Sequence, residues 1–250
     1  MNPSFESLSL ADCLLPEWPA PARVRSCVTT RAGGVSLPPF DRLNLGTHVG
    51  DDAEAVAQNR SRLQTLLGCR PTWLNQVHSP DVVEATPAQV LTADASWTAT
   101  PGVAALVMTA DCLPVLFCDR AGTRVAAAHA GWRGLVGGVL ENTLKALAFD
   151  PAETLVWLGP AIGPAAFEVG AEVREAFVAQ HAETTSAFVP GAQPGKFMAD
   201  IYQLARIRLA AQGVTAIYGG GLCTVSDQRF FSYRRASRTG RFASLIWLAN

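Results

Sequence analysis

Two histidines and a cysteine carry the clearest chemistry in this chain. They lie in three short runs, Asn75-Gln76-Val77-His78, Thr109-Ala110-Asp111-Cys112 and His129-Ala130-Gly131-Trp132-Arg133-Gly134. Each of the three falls at an expected strand end or turn. Three nitrogen and sulfur ligands suit a catalytic zinc, whose fourth tetrahedral position stays open to water or substrate; a structural zinc closes with a fourth protein ligand. A metal held by His78, Cys112 and His129 acts as a Lewis acid and lowers the pKa of water towards roughly 7. Such long gaps between ligands are a weaker signal than HExxH or paired CxxC. The bland alternative makes Cys112 a small apolar filler and each histidine a hydrogen-bonding group. A metal-free chemistry uses the same atoms, with Cys112 as nucleophile and His129 as its base. The thiol separates the two, being reactive in one case and shielded by the metal in the other.

Carboxylates near these runs are candidates for moving protons. Asp111 stands beside Cys112 and could shuttle a proton or orient a ligand, and Asp94 or Glu168 could serve as general acid or base. His48 and His181 have no comparable setting and read as surface or local structural residues.

The rest of the chain must position these groups. With 250 residues, 49% of them hydrophobic, it can bury a large core in one unit. A net charge of -1 argues against broad attraction to nucleic acid or an anionic membrane. The six cysteines are dispersed without a CxxC pair, which is no disulfide framework. Met1 to Trp18 is polar and acidic rather than a secretory signal, and no apolar stretch reaches membrane-spanning length, so the expected location is the cytoplasm.

Val24 to Thr30 reads as a first strand, followed by a long irregular segment through Gly46. Asp51-Asp52 opens a helix over Ala53 to Leu67 that ends at Gly68. Thr72 to Val77 and Val82 to Ala85 read as strands around a turn at His78 to Asp81. Val103 to Met108, Pro114 to Cys118 and Arg124 to Ala128 form three buried strands, followed by a helix over Leu135 to Ala148. Leu155 to Leu158 is a strand, Gly159 to Pro164 is irregular, and helices are expected at Ala171 to Ala179 and Asp200 to Gln212. Strands at Thr215 to Tyr218 and Phe242 to Leu248 close the chain. The irregular alternation favours a mixed α/β or α+β single domain, 1–250, over a doubly wound parallel sheet.

At its motifs the chain resembles a known family. Asn75-Gln-Val-His78, Ala110-Asp-Cys112, His129-Ala-Gly-Trp-Arg-Gly134, Gly159-Pro-Ala-Ile-Gly163 and Phe231-Ser-Tyr-Arg-Arg235 occur in order between about Arg31 and Arg241. They look like the laccase-domain, YfiH-like family, also described as multicopper polyphenol oxidases or as purine nucleoside phosphorylases. The resemblance implies a four-layer αββα fold and zinc bound by His78, Cys112 and His129. Ser79 stands where a glycine is usual, which leaves the ligand intact. The resemblance also implies phosphorolysis of adenosine, inosine, guanosine and methylthioadenosine, and deamination of adenosine. Four histidines in total are too few for a multicopper cluster, although one-copper, laccase-like chemistry stays open.

Phosphorolysis needs an anion site beside the ribose, which arginine suits through bidentate contacts. Arg31, Arg60, Arg234 and Arg235 are candidates, and Arg133 is the arginine expected to face the metal pocket. Exposed arginines are more often only solvated. Trp132 and Phe231 could stack on a base, while Asn44 and Gln76 suit a ribose or amide or simply tie loop backbone. Gly159 to Pro164 lacks the context of a dinucleotide fold.

A zinc-dependent purine nucleoside enzyme acting on a small molecule is the first reading. The second is an amidase that edits peptidoglycan precursors, hydrolysing UDP-linked muropeptides. A third is a scaffold in which Cys118 or Cys69 closes the zinc site. Cys118 fits poorly, since six residues of extended strand place it roughly 20 Å from Cys112.

Overall fold

A computed structural model gives the fold and describes residues 7–249; the first six residues of the Met1 to Trp18 segment lie outside it. Two sheets pack face to face. In one, the strands run in the order Cys13–Leu14, Val24–Thr29, Phe242–Leu248, Val103–Thr109, Arg70–Thr72. The other runs Ala216–Gly219, Thr154–Leu158, Leu113–Asp119, Val125–Ala130, Ala95–Thr98, Val82–Glu84. Most neighbours are antiparallel, while Arg70–Thr72, Val82–Glu84 and Ala216–Gly219 pair in parallel with their neighbours. This mixed pairing departs from a doubly wound sheet, as the irregular order of elements predicted.

Strand alternation sorts the side chains into three apolar layers. Ala105, Val107, Leu116, Val125 and Ala127 meet between the sheets. From the same strands, Ala104, Leu106 and Met108 point outward to Leu63 of helix α1 (Ala53–Leu67). Leu113, Val115, Phe117, Ala126 and Ala128 point to the opposite outside. There they pack under helices α2 (Trp132–Gly137), α3 (Val139–Leu147), α4 (Ala171–Val178) and α5 (Ile201–Ala211). The layers therefore read α, β, β, α. Alanine along Val125–Ala130 keeps that strand thin, so the two sheets approach closely at the strand that ends in His129.

Several expected elements appear with their predicted bounds. Helix α1 spans Ala53–Leu67 because the Asp52 side chain caps Ala55 N and Gly68, at φ +64°, ends it in the left-handed region. Asp200 likewise caps α5 by accepting from Tyr202 N and Gln203 N.

Two expectations are corrected. The helix expected over Leu135 to Ala148 is two helices, because Gly138 at φ +97° breaks the ladder. The strand expected over Thr72 to Val77 is two short pieces, Arg70–Thr72 and Leu74–Asn75, which belong to different sheets. A strand at Ala95–Thr98 and a small sheet of Glu168–Gly170, Lys196–Ala199 and Phe188–Pro190 were not expected. Ala95–Thr98 matters most, since the residue just before it is Asp94. Among the described residues, no helix is long and apolar enough to cross a membrane.

Candidate metal centre

His78, Cys112 and His129 converge at one end of the sandwich, with their ligand atoms all within 4.8 Å of one another. The topology explains how. Val103–Thr109 belongs to one sheet and Leu113–Asp119 to the other, so Cys112 sits at the corner where the chain crosses between them. His129 is the penultimate residue of Val125–Ala130, paired in register with Pro114 just beyond that corner. His78 arrives on the loop between Leu74–Asn75 and Val82–Glu84.

The backbone is strained at this point. His78 at φ +62° and Asp111 at φ +91° are two of the three non-glycine residues with positive φ among those described. Such conformations persist where surrounding structure over-determines them, often at functional sites. Gly131 completes the cradle. A Cβ there would lie 2.8 Å from His78 Cδ2 and 2.9 Å from Cys112 Sγ, so no larger residue fits.

Asp94 fixes both histidines. Its carboxylate is wholly buried and accepts hydrogen bonds from the backbone N–H groups of Val77 (3.0 Å), His78 (2.9 Å) and Ser79 (2.7 Å). The Nδ1–H of His129 donates to the same carboxylate at 2.7 Å. This bond leaves Nε2 of His129 as the ring's ligand atom, the arrangement by which carboxylates orient metal-binding histidines. Gln76 anchors the same loop, accepting from Met108 N at 2.7 Å and donating to Met108 O at 2.8 Å.

The donor set fits a metal ion. Cys112 Sγ lies 3.8 Å from His78 Nε2, close to the roughly 3.5 Å expected across a tetrahedral zinc with ordinary bond lengths. Burial opposes ionisation of the Cys112 thiol, but the facing His129 and His78 rings outweigh it and bring the pKa down to about 6. Burial likewise disfavours a charged His129, and the neighbouring Cys112 and Asp94 reverse that, raising it to about 9. Asp94 is pushed up by burial, and its bonds to His129 and the loop hold it below the usual carboxylate range. Among the described residues no fourth histidine, cysteine or carboxylate joins the cluster. Cys118 and Cys69, the fourth ligands of the scaffold reading, are buried in the inter-sheet core and under helix α1 respectively.

The cluster opens on a cavity of about 410 Å³. Trp132, Phe167 and Tyr233 give it aromatic walls, and Arg133 and Arg234 line it as well. Arg133 lies over Trp132, 4.3 Å from the ring centroid. Asp111 is the one carboxylate on the wall. Its Oδ1 accepts from Thr224 Oγ1 and its Oδ2 from Arg234 N, both at 2.6 Å.

Other candidates are placed away from this cavity. Glu168 lies in the small sheet, exposed, and its carbonyl accepts from Arg234 Nη2. Arg31 pairs with Asp41 at 2.9 Å. Arg60 grips Leu45 O and stacks 3.8 Å from the Trp73 ring centroid, with burial drawing its pKa down to about 10. Arg235 holds the carbonyls of Thr224, Val225 and Phe230. Asn44 is fully buried among loop contacts. Phe231, expected as a stacking surface, is wholly buried in the inter-sheet core.

Sequence reasoning missed two cavity residues with basic side chains. His48, read as a surface residue, lines the cavity, and so does Arg241. Nothing local to His48 signals this, because its loop reaches the site through contacts distant in sequence.

An αββα sandwich with two imidazoles and a thiolate at its end, open on one side, defines a class of single-site metal-binding proteins. The profile of the family described as multi-copper polyphenol oxidoreductase laccase matches residues 25–249, and the chain belongs to that family. It is 72% identical, over 94% of its length and 98% of the relative's, to a Pseudomonas aeruginosa protein named purine nucleoside phosphorylase. It is 56% identical to the Escherichia coli protein named purine nucleoside phosphorylase YfiH, over 96% of this chain and all of that one (100%). The crystal structure of a Neisseria meningitidis protein, 55% identical, superposes with a TM-score of 0.93 over 96% of this chain and 100% of that one. YlmD from Geobacillus stearothermophilus, 31% identical, gives 0.90 over 99% and 100%.

Two outcomes follow from this geometry. Asp94→Asn leaves at most one acceptor oxygen for four donors and is expected to weaken zinc binding by about 10–100-fold, measured by competition with a chromophoric chelator. Unchanged affinity would show that Asp94 does not support the centre. In metal-free protein, alkylation of the Cys112 peptide should titrate in with a midpoint near pH 6, where an ordinary thiol waits until about 8.5. Zinc should suppress that alkylation throughout the same range.

Proposed function

We propose that this chain is a zinc-dependent purine nucleoside phosphorylase acting as one cytoplasmic catalytic domain over 1–250, with adenosine, inosine, guanosine and methylthioadenosine as substrates. The carrying observation is the His78–Cys112–His129 cluster opening on a cavity with aromatic walls and arginines. The names borne by the Pseudomonas aeruginosa and Escherichia coli relatives support the same reading. A bound zinc would supply a Lewis acid at the end of this cavity.

In phosphorolysis an oxygen of phosphate forms a bond to C1′ of the ribose, and the bond from C1′ to the purine nitrogen breaks. Its electron pair leaves on the base, which takes up a proton, giving free purine and ribose 1-phosphate. Trp132 and Phe167 offer faces for the flat base, and Arg133 and Arg234 make the cavity as a whole attractive to anions. Of the three candidate carboxylates, Asp111 alone reaches the cavity wall, so proton transfer to the departing purine is assigned to it. Asp94 is assigned the support of both histidines. Adenosine deamination, in which water replaces the C6 amino group and ammonia leaves, is the second activity proposed for the same cavity.

Copper is the alternative metal that the family description raises. The chain has four histidines, and two of them stand in the cluster. A multicopper centre therefore lacks ligands.

Zinc-loaded protein with adenosine and phosphate should release adenine and ribose 1-phosphate, and hypoxanthine where deamination precedes cleavage. His129→Ala should abolish both. Asp111→Asn should lower turnover at least tenfold with zinc retained, as expected for loss of a proton carrier. No purine release from fully metallated protein would overturn the reading, and amide cleavage of a UDP-linked muropeptide in its place would make the chain an amidase.

A further inference from the structure

His48 and Arg241 line the cavity beside the cluster, and the reading above gives them no task. Their meeting is built into the fold, although Arg241 stands 197 residues beyond Asn44, which begins the loop carrying His48. Arg241 N donates to Asn44 Oδ1 at 2.9 Å, and Leu45 N donates back to Arg241 O at 3.1 Å. Gly46 has no Cβ because one would lie 2.9 Å from Arg241 Cγ. Asn44 is itself fully buried and held by Gly46 and Asp51. The latch fixes the backbone on both sides, so the guanidinium and the imidazole are presented together by the loop.

Their donors are unspent. Arg241 Nη1 donates to Thr239 O and Gly240 O at 3.1 and 3.0 Å, which sets the plane of the guanidinium. Among the described residues its Nε and Nη2 make no hydrogen bond, and neither does the His48 ring. Asp111, the one carboxylate on the wall, is held by Thr224 and by the backbone of Arg234 and makes no ion pair with Arg241. Burial lowers the pKa of Arg241 against the opposing pull of Cys112 and Asp111, and burial followed by repulsion from Arg241, Arg60 and His129 lowers that of His48. The charge at this wall is thus the Arg241 guanidinium, with the His48 imidazole beside it as a neutral N–H donor.

We propose that Arg241 and His48 form the oxyanion subsite of this cavity and take inorganic phosphate. The guanidinium offers the fixed fork that matches two phosphate oxygens. His48, exposed at the mouth, adds a ring N–H on the solvent side. The proposal rests on the phosphorolysis reading for its purpose and on the latch for its place. It also explains why Arg31, Arg60 and Arg235 are not required there, as each has its donors committed elsewhere.

Calorimetric titration of zinc-loaded protein with inorganic phosphate tests it, alongside KM values for phosphate and for adenosine. Arg241→Met and His48→Gln are each expected to weaken phosphate binding and raise its KM about tenfold or more, the effect of one lost charge-assisted contact. The KM for adenosine should stay within about twofold, and Arg31→Lys should behave as the parent. His48 is exposed, so its variant tests the site even if Arg241→Met fails to fold. Phosphate affinity unchanged in a phosphorolytically active His48→Gln protein would overturn the subsite. Binding of a nucleoside monophosphate but not of free phosphate would also overturn it, in favour of a phosphomonoester site. Phosphate binding that depends on this pair in a protein without phosphorolysis would uphold the subsite and reject the purine reading alone.

Discussion

A single buried carboxylate organises the centre of this protein. Asp94 has no solvent exposure, and an ionised carboxylate in such a place is costly unless hydrogen bonds replace its water. Four donors do so here: three consecutive backbone N–H groups of the His78 loop and the ring of His129. The two histidines come from different parts of the chain, and this is the group they share. The positive φ of His78 follows from aiming three successive amides at one carboxylate, so the strain there is compensated by the bonds it permits.

Around that group, the sandwich supplies rigidity where the chemistry needs it. Cys112 stands on a crossing between sheets whose flanking strands are fully buried. The Asp111 side chain is pinned by Thr224 and by the backbone of Arg234, and Asp111 O accepts from Ile162 N. The Gly159 to Pro164 segment and the Phe231 to Arg235 segment thereby close on the corner that carries the thiolate. Its depressed pKa and the raised pKa of His129 are two sides of one attraction in a poorly hydrated place. The same arrangement that pairs them without a metal presents deprotonated sulfur and imidazole nitrogen to one.

Local signals made much of this legible in the sequence. The cap at Asp52, the left-handed stop at Gly68 and the apolar runs at Val103 and Phe242 depend on near neighbours, and their elements appear as expected. The three residues of the cluster were visible because their types are rare and each lies at a strand end or turn. The break at Gly138 was hidden, since an isolated glycine in a helical pattern is ordinarily tolerated. The destinations of the arginines were hidden too. Arg31 and Arg60 carry the same charge as Arg133 and Arg241, and only tertiary contacts decide which face the cavity and which hold Asp41 or Leu45. His48 was overlooked for the same reason, because its place depends on a latch to the far end of the chain.

The central claim is a three-ligand centre of two imidazoles and one thiolate with an open position. X-ray absorption at the zinc edge of the loaded protein tests it most directly. The account predicts one sulfur at about 2.3 Å and nitrogen or oxygen neighbours at about 2.0–2.1 Å completing four-coordination, with the sulfur lost in Cys112→Ser. A shell with two sulfurs, or none, would contradict it.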